Sequence, residues 1–126
     1  MSAFTTVNLY HTNAEPLKFN QGDVIFREGE TGDEMYALMS GAVGLWVNDC
    51  LVEIISEGDV FGEGALVQPS HTRASRAIAH TNCELIPLNH SRFLFVCQNT
   101  PMFAIEVMRS FSDRLRLLKE KLAEAD

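Results

Sequence analysis

The stretch from Val60 to Ala79 carries the residue types best suited to chemistry. Its sequence, VFGEGALVQPSHTRASRAIA, combines a glycine-flanked carboxylate, Glu63, with an arginine, Arg73, farther along the chain. The glycines on either side of Glu63 let the backbone approach a ligand closely because they carry no Cβ atom. A helical turn over residues 63–67 would present free N–H groups, which attract anions. The stretch therefore predicts a pocket for an anion.

The two charged residues have different expected roles in this pocket. The alternating sequence RASRAIA predicts a strand that contains Arg73, from which a guanidinium would bind a phosphate in bidentate fashion. Glu63 only accepts hydrogen bonds and repels phosphate, so we expect it to bind a ribose hydroxyl. Arg76 stands at an odd offset from Arg73, which predicts the opposite face of the strand and a solvated charge.

These residues resemble a known family. FGEGAL followed by RAS is similar to the phosphate-binding cassette of cyclic nucleotide-binding domains, as found in the catabolite activator protein and in regulatory subunits of cyclic-AMP-dependent kinases. The run from Phe19 to Val47 is similar to the family's strands, which glycines punctuate at expected turns. These glycines are Gly22, Gly29, Gly32, Gly41 and Gly44. The resemblance covers roughly Leu17 to Leu118.

The resemblance implies a set of ligand-binding residues. Glu63 would bind the ribose, Arg73 the phosphate, and the backbone at Gly62, Gly64 and Ala65 would cradle the phosphate. The candidate set is Phe61, Gly62, Glu63, Gly64, Ala65, Arg73, Ala74 and Ser75. Ala74 stands where members that favour cyclic GMP often carry threonine, which favours cyclic AMP as the ligand. Gly64 replaces a large apolar residue common in the family, which predicts a looser cassette.

The sequence also admits a different class of function. A degenerate, ligand-free β-roll that serves in dimerisation or docking is the main alternative; Gly64 favours it, and the presence of both Glu63 and Arg73 opposes it. A roll-shaped metalloenzyme would need closely spaced histidines, and the four histidines form no HxH pair. A hydrolase is disfavoured because no GxSxG motif is present. We therefore expect no catalytic and no metal-binding residues.

Periodicity predicts the fold that would position the pocket. Short apolar runs ended by Gly, Asn or Asp indicate a mainly β protein, an antiparallel β-roll (double-stranded jelly roll) over about residues 15–88. C-terminal helices are expected over about residues 89–123, the first capped by Asn89 or Ser91 and the second opened by Pro101. The segment TTVNLY predicts a strand. The 126 residues make one domain.

The second C-terminal helix carries a heptad-like apolar seam. Its members are Ala104, Met108, Phe111, Leu115, Leu118 and Leu122. About 22 helical residues would extend ~33 Å, more than a small roll requires. We therefore expect a parallel homodimer through this helix, with packing of the seam on the roll as the alternative. The family resemblance further implies that this helix closes over the base, with Leu115 or Leu118 as the lid.

Charge and composition bound the partners and the compartment. A formal net charge of −7 disfavours direct binding of nucleic acid. The sequence contains no apolar run of the ~20 residues that span a membrane and no signal-peptide pattern, so a cytoplasmic location is expected. Cys50, Cys83 and Cys97 fit reduced, buried thiols. Because no output domain is evident up to Asp126, we expect a stand-alone domain that acts through an unidentified downstream protein.

Overall fold

Two four-stranded antiparallel sheets form the body of the molecule. The computed structural model describes residues 2–9 and 15–125. The strands are β1 (Leu17–Phe19), β2 (Val24–Phe26), β3 (Glu34–Ser40), β4 (Val43–Val47), β5 (Cys50–Ile55), β6 (Val60–Phe61), β7 (Arg76–Ala79) and β8 (Cys83–Asn89). The strand order is β1-β8-β3-β6 in one sheet and β2-β7-β4-β5 in the other. This arrangement confirms the antiparallel β-roll.

The strands form where apolar residues alternate or run together between turn formers. Leu38, Val43 and Leu85 point between the two sheets and are almost fully buried. Gly41 joins β3 to β4 with a φ of +86°, which favours glycine. Gly44, which the glycine pattern assigned to a turn, instead lies buried inside β4. A side chain there would press on Leu51 and Trp46.

The first helix corrects an expectation from the sequence. Residues 5–9 of the segment predicted to be a strand belong to helix α1 (Ala3–Leu9), and Tyr10 lies outside the described residues. The hydroxyl of Ser2 accepts a hydrogen bond from the backbone N–H of Thr5 at 3.1 Å, which caps the helix start. Ala3 and Val7, four residues apart, are buried together on one side. Capping and this tertiary packing outweigh the local strand propensity of the two threonines and the valine.

Three further helices complete the described chain. They are α2 (Gly64–Val67), α3 (His90–Asn99) and α4 (Met102–Glu124). Asn89 caps α3 by accepting from the backbone N–H of Arg92 at 2.9 Å, and α4 begins directly after Pro101. The C-terminal helices predicted from the sequence are thus confirmed. Within the two described ranges, none of the helices is both long and apolar enough to cross a bilayer.

The side of α4 that packs on the roll includes only part of the predicted seam, of which Phe111 contacts the core. Phe103, Val107 and Ser110 are buried against the roll and α1. Three seam residues, Met108, Leu115 and Leu122, are instead 58%, 51% and 71% exposed. The alternative that the whole seam packs on the roll is therefore wrong for these three side chains. Leu115 and Leu122 form an exposed apolar strip on the distal part of α4, whereas Met108 borders a groove of about 270 Å³ that Leu66 and Phe93 also line.

The three cysteines lie in different environments. Cys83 is buried and Cys97 is part-buried, but Cys50 is exposed, so the expectation of a buried thiol is wrong at Cys50. Cys50 lies at the exposed start of edge strand β5. All three thiols are free. Burial raises the pKa of the Cys83 and Cys97 thiols, which keeps them protonated and poorly reactive near neutral pH.

Candidate functional site

One cavity of about 210 Å³ gathers most of the predicted site. Its wall contains residues 62–65 and residues 73–75, which are seven of the eight candidates proposed from the sequence. The other lining residues are Phe26, Leu45, Val47, Val52, Glu53 and Arg114. Elements distant in sequence therefore meet here: β2, β4, β5, the α2 segment and α4. Whether the wall binds a ligand remains a prediction.

Arg73 is the most informative residue of this wall. Its residue surface is only 5% exposed, and its Nη1 donates to the carbonyl oxygen of Gly62 at 2.8 Å. The guanidinium lies over the ring of Phe26, 4.2 Å from its centroid. Among the described residues, no carboxylate lies within ion-pair distance of it. Because burial of an uncompensated charge is costly, this cation is suited to an anionic partner.

The backbone around Arg73 differs from the sequence prediction. Strand β7 begins at Arg76, so Arg73 lies in a loop and not in the predicted strand. Its backbone N–H donates to the carbonyl of Glu30, and its carbonyl accepts from the N–H of Gly29, both at 2.8 Å. These bonds join the loop to the turn after β2 rather than to a strand. The turn thereby holds the guanidinium in the cavity wall.

Two glycines make room for this guanidinium. A Cβ atom at Gly32 would lie 2.5 Å from Nε and Nη2 of Arg73. A Cβ at Gly62 would lie 2.9 Å from Nη1, and the φ of Gly62 is +79°, which L side chains rarely adopt. The sequence indicated Gly32 only as a turn residue. Its close approach to Arg73 becomes visible only in the folded chain.

Glu63 lies at the N-cap position of α2, but its side chain does not cap the helix. Helix α2 is one residue shorter than the predicted turn, since Glu63 precedes it. The Glu63 carbonyl accepts from the N–H groups of Leu66 and Val67 at 2.8 and 3.1 Å, whereas its carboxylate makes no capping hydrogen bond. The part-exposed carboxylate lines the cavity. It is therefore placed to accept from a ligand hydroxyl.

Phe61 is the one candidate that does not line the cavity. It is fully buried, because its position in β6 directs the ring into the core beside Phe26 and Tyr36. Its assignment as a ligand contact is therefore corrected to a supporting role beneath Phe26.

The hydroxyl of Tyr36 has a raised pKa, first because of burial and then because of nearby Glu34, while Arg73 acts in the opposite direction.

Sequence reasoning missed a second arginine in the wall. Nε of Arg114, on α4, donates to Glu53 Oε1 at 2.8 Å, and Nη2 donates to Oε2 at 3.5 Å. Nη1 donates to the carbonyl of Val60 at 2.6 Å. Arg114 stands seven residues after Val107 and three after Phe111, so a helical face shared with apolar residues was readable from the sequence. Its partner in β5 was not, because Glu53 is 61 residues away.

The structure does not bring the two proposed lid residues to this cavity. Leu115 is half-exposed and Leu118 lines a neighbouring cavity of about 220 Å³, which shares Val52, Glu53 and Arg114 with the first.

Arg76 lies outside the wall of the first cavity, as predicted, although it is part-buried rather than fully solvated. Its guanidinium lies 5.9 Å from the centre of the Trp46 ring, and its Nη2 lies 4.0 Å from Asp49.

Comparison with known proteins decides the family. Residues 16–100 match the family model described as cyclic nucleotide-binding domain. The chain belongs to the cyclic nucleotide-binding domain family. The fold and the cassette resemblance agree with this membership. Within residues 2–9 and 15–125, groups of three or more His, Cys, Asp or Glu that could hold a metal ion do not occur.

The relatives of this cyclic nucleotide-binding domain are named for different cyclic nucleotides. It is 27% identical over 115 residues to a CRP-like cAMP-activated global transcriptional regulator of Mycobacterium tuberculosis, covering 87% of this chain and 51% of the relative. It is 30% identical over 107 residues to a cGMP-dependent protein kinase of Plasmodium berghei, covering 85% of this chain and 12% of the kinase. The domain thus spans about half of the first relative and far less of the second.

A solved structure shows the same architecture. The catabolite activator protein of Thermus thermophilus superposes with a TM-score of 0.74 at 25% identity, over 96% of this chain and 59% of that chain. The agreement extends the resemblance beyond the matched family region to the C-terminal helices.

Proposed function

We propose that this domain binds a cyclic nucleoside monophosphate, cyclic AMP in preference to cyclic GMP, and acts as a non-catalytic regulatory module. The observation that carries the proposal is the buried Arg73 guanidinium, which faces the cavity without a carboxylate partner among the described residues. A phosphate carries the opposite charge and matches the guanidinium in shape. In a chain with a formal net charge of −7, this is a local site for an anion.

Each part of the ligand has a candidate partner in the wall. The phosphate would bind Arg73 and the backbone of residues 62–65, and Ser75 offers a further hydroxyl. The ribose would donate a hydrogen bond to the Glu63 carboxylate. Ala74 supports cyclic AMP, because it lacks the hydroxyl of the threonine often found in members that favour cyclic GMP. Of the two relatives, the transcriptional regulator is named for cyclic AMP and the kinase for cyclic GMP.

The regulatory output would pass through α4. A nucleotide shifts the position of this helix only by its difference in affinity for the two arrangements. We propose that the segment around Leu115 and Leu118 moves over the base in the bound state. We further propose that the domain forms a homodimer through the α4 seam and acts on a downstream protein partner. In this proposal it makes no direct contact with nucleic acid and resides in the cytoplasm.

The substitution Arg73→Gln tests the phosphate site. Removing the charged hydrogen bonds should cost about 1.5–3 kcal/mol, which is roughly a tenfold to hundredfold loss of affinity for cyclic AMP. Isothermal titration calorimetry measures this loss directly. Arg76→Gln is the matched control: the same chemical change three residues away, outside the cavity, should leave the Kd unchanged. Equal Kd values for Arg73→Gln and the wild type would refute the assigned role.

The ligand-free alternative predicts a different outcome in a thermal melt. A nucleotide that binds only the folded state stabilises it by about 2.7 kcal/mol at ~100 times its Kd, so the Tm must rise. Parallel melts with cyclic AMP, cyclic GMP and cyclic di-GMP separate the two functions. A Tm that none of the three nucleotides changes would favour the docking module.

A further inference from the structure

The cavity wall carries four ionisable side chains, of which Glu53 and Arg114 form an ion pair. Glu63 and Arg73 serve the ribose and the phosphate in the function proposed above, whereas Glu53 and Arg114 have no ligand role there. The geometry points to the Glu53–Arg114 pair as the reader of the base: the Glu53 carboxylate accepts from the 6-amino group of adenine while Arg114 donates to N7. This inference rests on the proposed function and adds the residues that choose the base.

The pair is held in place from several directions. Arg114 is bonded twice to Glu53 and once to the carbonyl of Val60, and its guanidinium lies 4.7 Å from the centroid of the Phe111 ring. The side chains of Arg114 and Glu53 are 13% and 18% exposed. Because their orientation is set before a ligand arrives, little conformational entropy is lost when they bind one.

The pair keeps spare hydrogen-bonding capacity despite these contacts. A guanidinium has five N–H donors, and each carboxylate oxygen can accept more than one hydrogen bond. The contacts seen with described residues occupy three of the five donors of Arg114, one each on Nε, Nη1 and Nη2. Spare donors and spare acceptors therefore lie side by side at the cavity wall. This is the combination that a heteroaromatic edge with both a donor and an acceptor requires.

The remaining wall suits the flat faces of a purine. Leu45, Val47 and Val52 line the same cavity with apolar side chains, and Val52 directly precedes Glu53 in β5. Because Arg73 and the cassette backbone take the phosphate, the base must lie along the rest of the wall. The apolar side chains would cover its faces, and its polar edge would meet the Glu53–Arg114 pair.

The chemistry of the two purines then separates them. Adenine presents an N6 amino donor beside the N7 acceptor, whereas guanine presents two acceptors, O6 and N7. Both bases accept from Arg114 at N7. Only adenine can donate to the Glu53 carboxylate, while O6 of guanine would meet it acceptor to acceptor, an unfavourable contact that leaves O6 without a hydrogen bond from Glu53. The pair therefore favours cyclic AMP over cyclic GMP.

The substitution Glu53→Gln tests this inference. Glutamine keeps the shape and one acceptor oxygen, and its amide N–H₂ can donate to O6. We expect the ratio of the Kd for cyclic GMP to the Kd for cyclic AMP to fall about tenfold. Cyclic IMP, which carries O6 without the 2-amino group of guanine, should gain relative to cyclic AMP by a similar factor. Glu57→Gln, an exposed carboxylate outside the cavity, is the matched control and should leave both ratios unchanged.

The outcomes separate this inference from the proposed function. Each ratio is taken within one protein sample, so a partly unfolded variant does not alter it. If Glu53→Gln weakens all three nucleotides equally, Glu53 only positions α4 and the inference is overturned. If Glu53→Gln does not fold, the wild type decides: it should bind cyclic AMP at least about tenfold more tightly than cyclic IMP, and equal affinities overturn the inference. Wild-type protein that binds none of the three nucleotides overturns both.

Discussion

Two arginines, Arg73 buried and Arg114 part-buried, define the chemistry of this molecule at the scale of single residues. Arg114 has a carboxylate partner in Glu53, so its charge is balanced within the fold. Arg73 has a carbonyl and two aromatic rings around it, with no carboxylate in ion-pair range among the described residues. A buried charge that the protein leaves unbalanced is a marker of a binding site. The contrast identifies Arg73 as the group that an anion would complete.

The close approach of Gly32 to Arg73 makes a prediction at this scale. In Gly32→Ala the new methyl group would overlap the guanidinium, which must then leave its place over Phe26. Displacing a charged hydrogen-bond donor should weaken cyclic AMP binding by about tenfold or more. Calorimetry measures the affinity, and a thermal melt reports on folding.

Thr31→Ala provides the control for this substitution. It alters the neighbouring exposed side chain and adds no bulk near the guanidinium. Its affinity for cyclic AMP should match that of the wild type. If Gly32→Ala binds as tightly as Thr31→Ala, the position of the guanidinium in this structure is not the one that binds phosphate.

A polar stripe governs the docking of α4 at the scale of elements. Glu106, Ser110 and Arg114 are spaced four residues apart and therefore share one helix face. Glu106 accepts from the hydroxyl of Thr6, Ser110 donates to Asp59, and Arg114 contacts Glu53 and the Val60 carbonyl. The hydrogen bond of Glu106 measures 2.6 Å, that of Ser110 measures 3.1 Å, and the three of Arg114 measure 2.6–3.5 Å. The stripe connects one helix to α1, to the loop before β6 and to β5.

The two ends of α4 are held differently. Its first turns bury Phe103 and Val107 in the core, whereas farther along the helix the polar contacts of Ser110 and Arg114 hold it to the roll. Hydrogen bonds to water can replace polar contacts at small net cost, but exposing Phe103 would be expensive. The part of α4 beyond Arg114 is mostly exposed and is therefore suited to move while the preceding turns stay anchored.

Thr6→Val tests the first contact of this stripe. The substitution keeps the shape but removes the hydroxyl that donates to the buried Glu106 carboxylate. Hydrogen bonds to charged groups contribute about 1.5–3 kcal/mol, and we expect the free energy of unfolding to fall by a comparable amount. Urea denaturation followed by circular dichroism measures it. Thr5→Val, on the exposed side of the same helix, should change it far less, and equal losses in both variants would contradict the role of the stripe.

At the scale of the whole molecule, one apolar strip stays uncovered. Met108, Leu115 and Leu122 continue a heptad-like spacing along α4 and are each more than half exposed. The distal half of the helix extends this strip beyond the residues that pack against the core. A second copy of the same helix would cover it in a parallel dimer. The molecule would then place its two nucleotide cavities on the outer sides of a shared helix pair.

The dimer makes a prediction for sedimentation. Wild-type protein at tens of micromolar should sediment as a dimer, and Leu115→Glu should shift it to the monomer by placing a charge in the seam. Leu117→Glu is the matched control, because Leu117 is similarly exposed at 56% but lies outside the seam. Since neither side chain is buried in the monomer, both variants should fold. A monomeric wild type at this concentration would contradict the dimer.

Local patterns in the sequence determined most element types, with the first segment and the backbone at Arg73 as exceptions, and they determined the antiparallel roll. They also identified seven residues that line the cavity, because alternation, turn residues and the cassette string act over a few neighbours. Tertiary structure alone decided the rest. Closure of the roll brought Gly32 against Arg73 and Glu53 against Arg114, pairs far apart in sequence. Packing against α4 made the first segment a helix, and the inward face of β6 buried Phe61. Such contacts depend on which surfaces meet in three dimensions, and neighbouring residues carry no signal for them.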